Sequence, residues 1–208
     1  MQVRLDKRAR IIADGGQAYP VDLLRDHTLV QVRQKYTDDT GELTLAPGEE
    51  TTDEVTVGGR VVFVRNTGKL CFASLQDGFT ETSNGERLQI MLSKAEVGDE
   101  SLAAWKSDVD LGDHVWVRGR VVVSRRGELS IMAAEWRMAS KALRPLPTLH
   151  KELSEESRVR RRYADLVVRE ESRQMVRTRA VITRAVRRAL DERGFLAVSY
   201  THLTLPTT

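Results

Sequence analysis

The chain has 208 residues, of which 40% are hydrophobic and 30% are charged, and its formal net charge is +3. This length fits one complete domain and part of a second, and the apolar share is large enough to form a core. Cys71 is the single cysteine, which excludes an internal disulfide and a cysteine-based zinc site. The apolar runs are too short to cross a bilayer and the N-terminus has no secretory signal, so we expect a cytoplasmic protein with no membrane partner.

The first region, residues 1–53, predicts two short helices and a polar connection. Residues 1–14 have helical apolar spacing and end at a Gly-Gly pair, and Thr28 is suited to cap a second short helix. Residues 37–53 are polar and rich in turn residues. We therefore interpret that stretch as a linker with at most a brief strand.

Residues 54–140 have strand character. Five stretches rich in Val, Ile and Leu are bounded by turn residues, and a helical segment separates the third stretch from the fourth. The predicted strands are residues 55–65, 70–77, 87–92, 114–124 and 128–136. Three strands, a helix and two strands are the order of a five-stranded OB-fold barrel, whose face binds oligonucleotides. The fold class is therefore predicted as mainly β with flanking helices, with a generic small barrel as the alternative.

After the barrel, residues 141–153 form a predicted linker, because two prolines in LRPLP prevent a regular helix there. Ser154 is suited to cap a new helix, and a longer helix follows over 171–193. The apolar stripe of that helix consists of Met175, Ile182, Val186 and Ala189. Residues 154–193 hold twelve arginines against seven acidic residues, an excess that could attract phosphate or serve in salt bridges and solvated faces.

Strand alternation selects three candidate binding residues. Phe72, Gln89 and Glu128 each alternate with apolar neighbours in a different strand, so we expect them on the outer face, as we do Ser130. An aromatic ring can stack on an unpaired base while an amide and a carboxylate read its edge. Uracil suits this set, because Gln89 can donate and accept, Glu128 can accept, and Arg65 at the end of the first strand can donate. The alternative is an exposed Phe among ordinary surface polar residues.

The sequence predicts no catalytic residues and no metal site in this chain. The four histidines lie far apart, and no glycine-rich phosphate loop is present. The pair Glu155-Glu156 is explained by its place in the first turn of a helix.

Several segments resemble the class II lysyl-tRNA synthetases of the bacterial type, over about residues 3–196. They are DKRARIIADGGQAYP (6–20), RNTGKLCFASLQDG (65–78), WKSDVDLGD (105–113), SRRGELSIMA (124–133), KALRPLP (141–147) and SEESRVRRRYADLVVREESR (154–173). A basic pair before GELS, then RPLP, then R-x-R-x-RY-x-DL is an ordered and specific combination.

The resemblance implies an OB-fold that binds the anticodon loop of tRNA-Lys, joined to a catalytic domain that uses ATP and Mg²⁺ to attach lysine to tRNA. By motif position, Phe72 resembles the residue that stacks on the central anticodon uridine, and Arg65, Gln89 and Glu128 resemble its hydrogen-bonding partners. The alternation of side chains along the strand does not place Arg65 on the outer face, because in a regular strand Arg65 points to the same side as the apolar Phe63. The later catalytic motifs have no counterpart here, so we expect this chain alone to bind neither ATP nor Mg²⁺ and to be inactive.

The resemblance also interprets the C-terminal part. Residues 154–196 correspond to the start of an incomplete catalytic domain, and the 171–193 helix to the homodimer interface, so alone it would be frayed or prone to aggregate. From Gly194 onward, fifteen residues carry no charged side chain, and the stretch resembles translated sequencing-adaptor DNA. We expect native sequence to stop near Leu196 and residues 197–208 to be non-native.

Three alternatives remain at this stage. Aspartyl- and asparaginyl-tRNA synthetases also combine an OB-fold with an anticodon that has a central uridine. A lysyl module fused to a membrane lipid-lysylating domain would require an upstream transmembrane region, whereas Met1 stands at the family's usual start. A freestanding OB module for single-stranded nucleic acid would have no need of residues 141–193.

Overall fold

A computed structural model describes residues 1–78, 86–147 and 153–197. At its centre is a five-stranded barrel made of β1 (Glu50–Thr67), β2 (Leu70–Gln76), β3 (Arg87–Ser93), β4 (His114–Val123) and β5 (Leu129–Ser140). The strand order is β1-β2-β3-β5-β4, and β4 pairs back with β1. The β3–β5 pairing is parallel and the other four are antiparallel. This is the OB-fold topology, and it confirms the predicted fold class.

The helices flank the barrel in the predicted places. They are α1 (Gln2–Ala13), α2 (Leu29–Lys35), α3 (Lys94–Val97), α4 (Asp99–Asp108), α5 (Glu155–Arg160), α6 (Arg162–Val168) and α7 (Glu170–Asp191). Thr28 begins α2 with a capping box, because its hydroxyl accepts from the Gln31 amide while the Gln31 side chain accepts from the Thr28 amide. None of the helices in these described ranges is both long and apolar enough to span a membrane.

The core lies inside the barrel and beneath α4. Inward-facing aliphatic side chains from all five strands are fully buried, among them Val57, Leu75, Ile90, Val117 and Ile131. The α4 helix closes one end of the barrel with Leu102 and Trp105, and the Trp105 ring meets the Trp136 ring edge to face, with 5.1 Å between centroids. Each buried aliphatic or aromatic side chain stabilises the fold by roughly 1.5–3 kcal/mol.

The first strand is longer than predicted. Glu50–Asp53 belong to β1, although their polar composition indicated a linker. Glu50 pairs with Val122, and the backbone bonds from the Val123 amide to the Glu49 carbonyl and from the Gly48 amide to the Val123 carbonyl continue the ladder. The available partner strand, rather than local propensity, therefore decides the conformation there.

Lys141 fixes the place where the linker leaves the barrel. Its ammonium group is fully buried and donates to the Asp108 carbonyl at 2.6 Å, to Asp110 at 2.6 Å and to Asp113 at 2.7 Å. All three of its donors are thus satisfied, as a buried charge requires. Burial pulls the pKa of Asp110 upward, but hydrogen bonds from Lys141 and Lys7 outweigh that effect and leave it below the usual value.

A second buried ionic group joins α6 to α7. Asp165 is fully buried and accepts from Arg162 at 2.8 Å and from the Ser172 hydroxyl at 2.6 Å. The buried Arg173 of α7 donates to the carbonyls of Leu166 and Val167, each at 3.1 Å. The Asp165–Ser172 bond and the bonds from Arg173 to the two carbonyls therefore hold α7 against α6.

The apolar stripe of α7 is exposed. Met175, Ile182 and Val186 have 65%, 58% and 53% of their surface accessible. Gly194, with φ of 83°, ends the helical segment, and the Phe195 amide bonds back to the Leu190 carbonyl at 3.1 Å. Of the predicted non-native tail, residues 198–208 lie outside the described part of the chain.

Candidate nucleic-acid interface

A β-bulge in β1 changes which face of the barrel the following side chains point to. Val61 pairs with Leu75 and Phe63 pairs with Ser74, so Val62 is an additional residue without its own partner in β2. Both Val61 and Val62 are buried, whereas Phe63 is 52% exposed. The bulge therefore reverses the alternation and aims the odd-numbered residues that follow it at the outer face.

Two neighbouring rows of side chains cross the outer face of the barrel. The first row runs through Phe63, Ser74, Gln89 and Ser130, which pair in succession across β1, β2, β3 and β5. The second row runs through Arg65, Phe72, Met91 and Met132 in the same strands. Directly paired residues in such rows lie roughly 4.5–5.5 Å apart, so each row is one contiguous surface.

Arg65 and Phe72 are in contact within the second row. The Arg65 guanidinium carbon lies 5.0 Å from the centroid of the Phe72 ring, a cation–π arrangement. Phe72 is half-buried on the outer face and is not part of the barrel core. Arg65 thus covers one face of the Phe72 ring.

Hydrogen bonds orient the Gln89 amide. Its nitrogen donates to the Ser130 hydroxyl at 2.8 Å, and that hydroxyl donates its proton to the Glu128 carbonyl at 2.9 Å. Because the hydroxyl has one proton, it must accept from Gln89, which leaves the Gln89 carbonyl oxygen pointing away from Ser130. Ser130, which we expected to be exposed on the outer face, is instead fully buried.

The four predicted residues line one groove of about 860 Å³. Arg65, Phe72 and Gln89 come from β1, β2 and β3, and Glu128 comes from the turn between β4 and β5. The same groove is lined by Phe63, Met91 and Met132 from the two rows and by Arg125 and Arg126 from the turn. Reasoning from alternation missed Phe63, although the unbroken apolar run from Val61 to Val64 cannot alternate and is itself a sign of a bulge.

The groove holds positive charge that is not neutralised by neighbours. Arg65, Arg125 and Arg126 make no ion pair or side-chain hydrogen bond with any described residue, and Glu128 is also unpaired there. Elsewhere on the barrel surface, Arg118 bridges Glu54 and Glu135, and Arg120 bridges Glu50 and Glu96. Free guanidinium groups beside a half-buried aromatic ring suit the phosphates and bases of single-stranded RNA.

The described residues contain no cluster of three or more His, Cys, Asp or Glu side chains that could hold a metal ion. His114, at the start of β4, is half-buried, and burial together with the nearby charge of Arg60 lowers its pKa to about 4. It is therefore neutral at pH 7 and belongs to the packing between β4 and β1.

Two family descriptions match the chain in the order of its two parts. Residues 55–139 match the OB-fold nucleic acid binding domain of the tRNA anticodon type, and residues 154–205 match the class II tRNA synthetases for aspartate, lysine and asparagine. The second match includes most of the stretch expected to be non-native. The chain therefore consists of an anticodon-type OB-fold domain followed by the start of a class II tRNA synthetase domain.

Relatives support the lysyl branch of this synthetase family. The chain is 59% identical over 198 residues to a lysine–tRNA ligase of Kineococcus radiotolerans and 54% identical over 197 residues to one of Mycobacterium tuberculosis. Each match covers 95% of this chain and 37% of the relative, so the chain spans little more than a third of their length. A bifunctional lysylphosphatidylglycerol biosynthesis protein of Rhodococcus jostii is 37% identical over 199 residues, which are 95% of this chain and 16% of that protein.

Proposed function

We propose that the groove binds the anticodon loop of tRNA-Lys and holds its central uridine between Phe72 and the polar groups of Arg65, Gln89 and Glu128. The observation that carries this proposal is the convergence of all four side chains on one groove of an anticodon-type OB-fold. These side chains supply an aromatic ring, an oriented amide and, within the described ranges, a carboxylate without a cation partner and a guanidinium without a carboxylate partner.

The hydrogen-bonding groups match the edge of uracil. Uracil presents one N–H between two carbonyl oxygens. The outward carbonyl of Gln89 and the carboxylate of Glu128 are acceptors for the N–H, and Arg65 and the second amide proton of Gln89 are donors for the carbonyls. Cytosine would bring an acceptor to the position of the N–H and meet an acceptor there. The groove should therefore prefer uracil to cytosine by roughly 1–3 kcal/mol, since a mismatch leaves buried polar groups unpaired.

Binding requires Arg65 to leave the Phe72 ring. An exposed cation–π contact contributes about 0.5–1 kcal/mol, whereas stacking of a base on an aromatic ring contributes about 1–3 kcal/mol. The exchange is favourable because the second quantity is the larger. The released guanidinium is then next to the base and free to donate to a carbonyl. Arg65 thus covers the ring in the free protein and reads the base in the complex.

Replacing Phe72 with alanine should weaken binding to a UUU anticodon stem-loop by about 1–3 kcal/mol, because the middle base loses its stacking partner. Fluorescence anisotropy with labelled stem-loops measures this loss. Phe195→Ala is the matched control, because Phe195 is also exposed but does not line the groove. Equal binding of the UUU loop and a loop with a changed middle base, together with no effect of Phe72→Ala, would show that the site assignment is wrong.

We propose that the whole protein is a cytoplasmic lysine–tRNA ligase, the activity after which its relatives are named. Class II synthetases use ATP and Mg²⁺, and we expect the remainder of the protein to bind both. The higher identity to stand-alone ligases than to the bifunctional protein favours the simple ligase. Charging of tRNA-Lys in preference to tRNA-Asp and tRNA-Asn by the whole protein tests this assignment.

We propose that α7 belongs to a homodimer interface of the whole protein, supported by its exposed apolar stripe. Isolated as part of this chain, the stripe should cause weak, concentration-dependent self-association. Ile182→Glu combined with Val186→Glu should abolish that association, which sedimentation velocity measures, while leaving anticodon-loop binding unchanged. A sharp, concentration-independent melting transition of the 141–196 region would contradict the expectation.

A further inference from the structure

Phe63 is an exposed aromatic side chain on the same face as Phe72. It is 52% exposed and lines the same groove, on which the bulge at Val61 and Val62 aims it. A single exposed aromatic residue is ordinary on a protein surface. Here, however, a backbone irregularity specifically turns it out of the core, and bulges of this kind are common where a strand must re-aim a side chain at a binding site.

The position of Phe63 relative to Phe72 suits two successive bases. Phe63 pairs with Ser74, and Phe72 is the next residue but one in β2, so the two rings are diagonal neighbours on one face. Diagonal neighbours in antiparallel strands lie roughly 7–8 Å apart. That is about twice the 3.4 Å rise per nucleotide of a strand in a duplex. The two rings therefore fit neighbouring bases of a strand that is spread out and unstacked, as in an opened loop.

The other wall of the groove offers groups for the phosphates between such bases. Arg125 and Arg126 stand at the β4–β5 turn, are exposed, and have no carboxylate partner among the described residues. An RNA strand with one base stacked on Phe72 and the next on Phe63 would run between these arginines and the two rows of side chains on the outer face. Positive charge in that position neutralises the backbone without reading sequence.

We infer that Phe63 is a second stacking platform, which receives the nucleotide adjacent to the central anticodon base. The inference rests on the proposed anticodon function of the groove. The ring carries no edge-reading group of its own, and the polar residue nearest to it across the row, Ser74, is only half-exposed. Phe63 therefore adds affinity for any base at the flanking position and does not select its identity.

Anisotropy titrations with the 208-residue chain and a UUU stem-loop test the inference. Phe63→Ala should weaken binding by roughly 5- to 150-fold, the equivalent of about 1–3 kcal/mol for one stacked base. Phe63→Trp should restore it, since a larger ring also stacks. Phe195→Ala should have no effect. Circular dichroism melting of each variant shows that the exposed substitution leaves the barrel folded.

Abasic nucleotides separate stacking from an indirect structural effect. Two stem-loops are compared with the UUU loop, one with an abasic site on the 5′ side of the middle uridine and one with it on the 3′ side. One of the two should bind the unaltered chain more weakly than the UUU loop does. On that side, Phe63→Ala should cause no further loss, because base and ring act as one pair. Additive losses on both sides, or full binding by Phe63→Ala, would overturn the inference. If Phe72→Ala still weakens binding in that case, the proposed anticodon site stands; if it does not, both proposals fail.

Discussion

Gly119→Ala should disrupt the barrel and raise the free energy of the folded state by more than about 3 kcal/mol. Gly119 lies in β4 at a register shift against β5, where the two backbones approach closely. A Cβ atom there would lie 2.0 Å from the Met132 carbonyl oxygen and 2.8 Å from its carbonyl carbon. Both obstacles are backbone atoms of the neighbouring strand, so no rotation of a side chain can relieve the overlap.

Urea unfolding followed by tryptophan fluorescence and circular dichroism measures the effect of Gly119→Ala. Gly58→Ala is the matched control in the same barrel, because its Cβ would lie 3.7 Å from the Val115 carbonyl oxygen, an ordinary contact distance. Equal stability of the two variants would mean that β4 and β5 can separate at this point without loss. The structure instead requires a large difference between them.

Lys141→Met should cost about 3–5 kcal/mol at neutral pH, the usual result of removing one partner from a buried ion pair. The variant would leave the fully buried carboxylate of Asp113 without its cation, and it would remove one of the two lysines that pair with Asp110. Lys7→Met is the matched control, since its contact with Asp110 is partly exposed, and such pairs contribute about 0–1 kcal/mol.

The pH dependence of the Lys141→Met variant gives an independent measurement. The native pKa of Asp110 is already lowered, so the unaltered chain loses that part of its stability only as pH falls below about 4. In the variant, protonation of the stranded carboxylates removes the penalty. Urea unfolding from pH 7 to pH 4 should therefore show the two proteins converging. A constant difference over this range would indicate lost packing of the lysine chain rather than unpaired charge.

Much of the fold could be predicted because the strands are marked by local composition. Each of the five stretches rich in branched aliphatic residues is a strand, and the predicted helices are present in their expected places. The polar start of β1 was not predictable, since Glu50 gains its conformation from pairing with Val122, far along the chain. The burial of Lys141 was hidden for the same reason, because three acceptors from another segment surround it.

The candidate site could likewise be predicted only in part. Alternation placed Phe72 and Gln89 on the outer face, where they line the groove with Glu128, because β2 and β3 pair in regular register. At the start of β5 it was wrong for Ser130, which is buried. It failed at Arg65 and Phe63, since one additional residue in β1 reverses the parity of everything that follows. The apolar run from Val61 to Val64 indicates a bulge, but only the pairing with β2 shows that Val62 is the additional residue.

The parallel pairing of β3 with β5 has a consequence for synthesis on the ribosome. β3 ends at Ser93, but its second neighbour is not complete until Ser140 has left the exit tunnel. Until Ser130, Ile131 and Met132 have emerged, one edge of β3 has no neighbour, and Gln89 lacks the hydroxyl that orients it. Because translation proceeds at about 5–20 residues per second, this interval lasts seconds. Under the proposed anticodon function, a nascent chain therefore has Phe72 in place before it can form the Gln89–Ser130 bond that orients the amide.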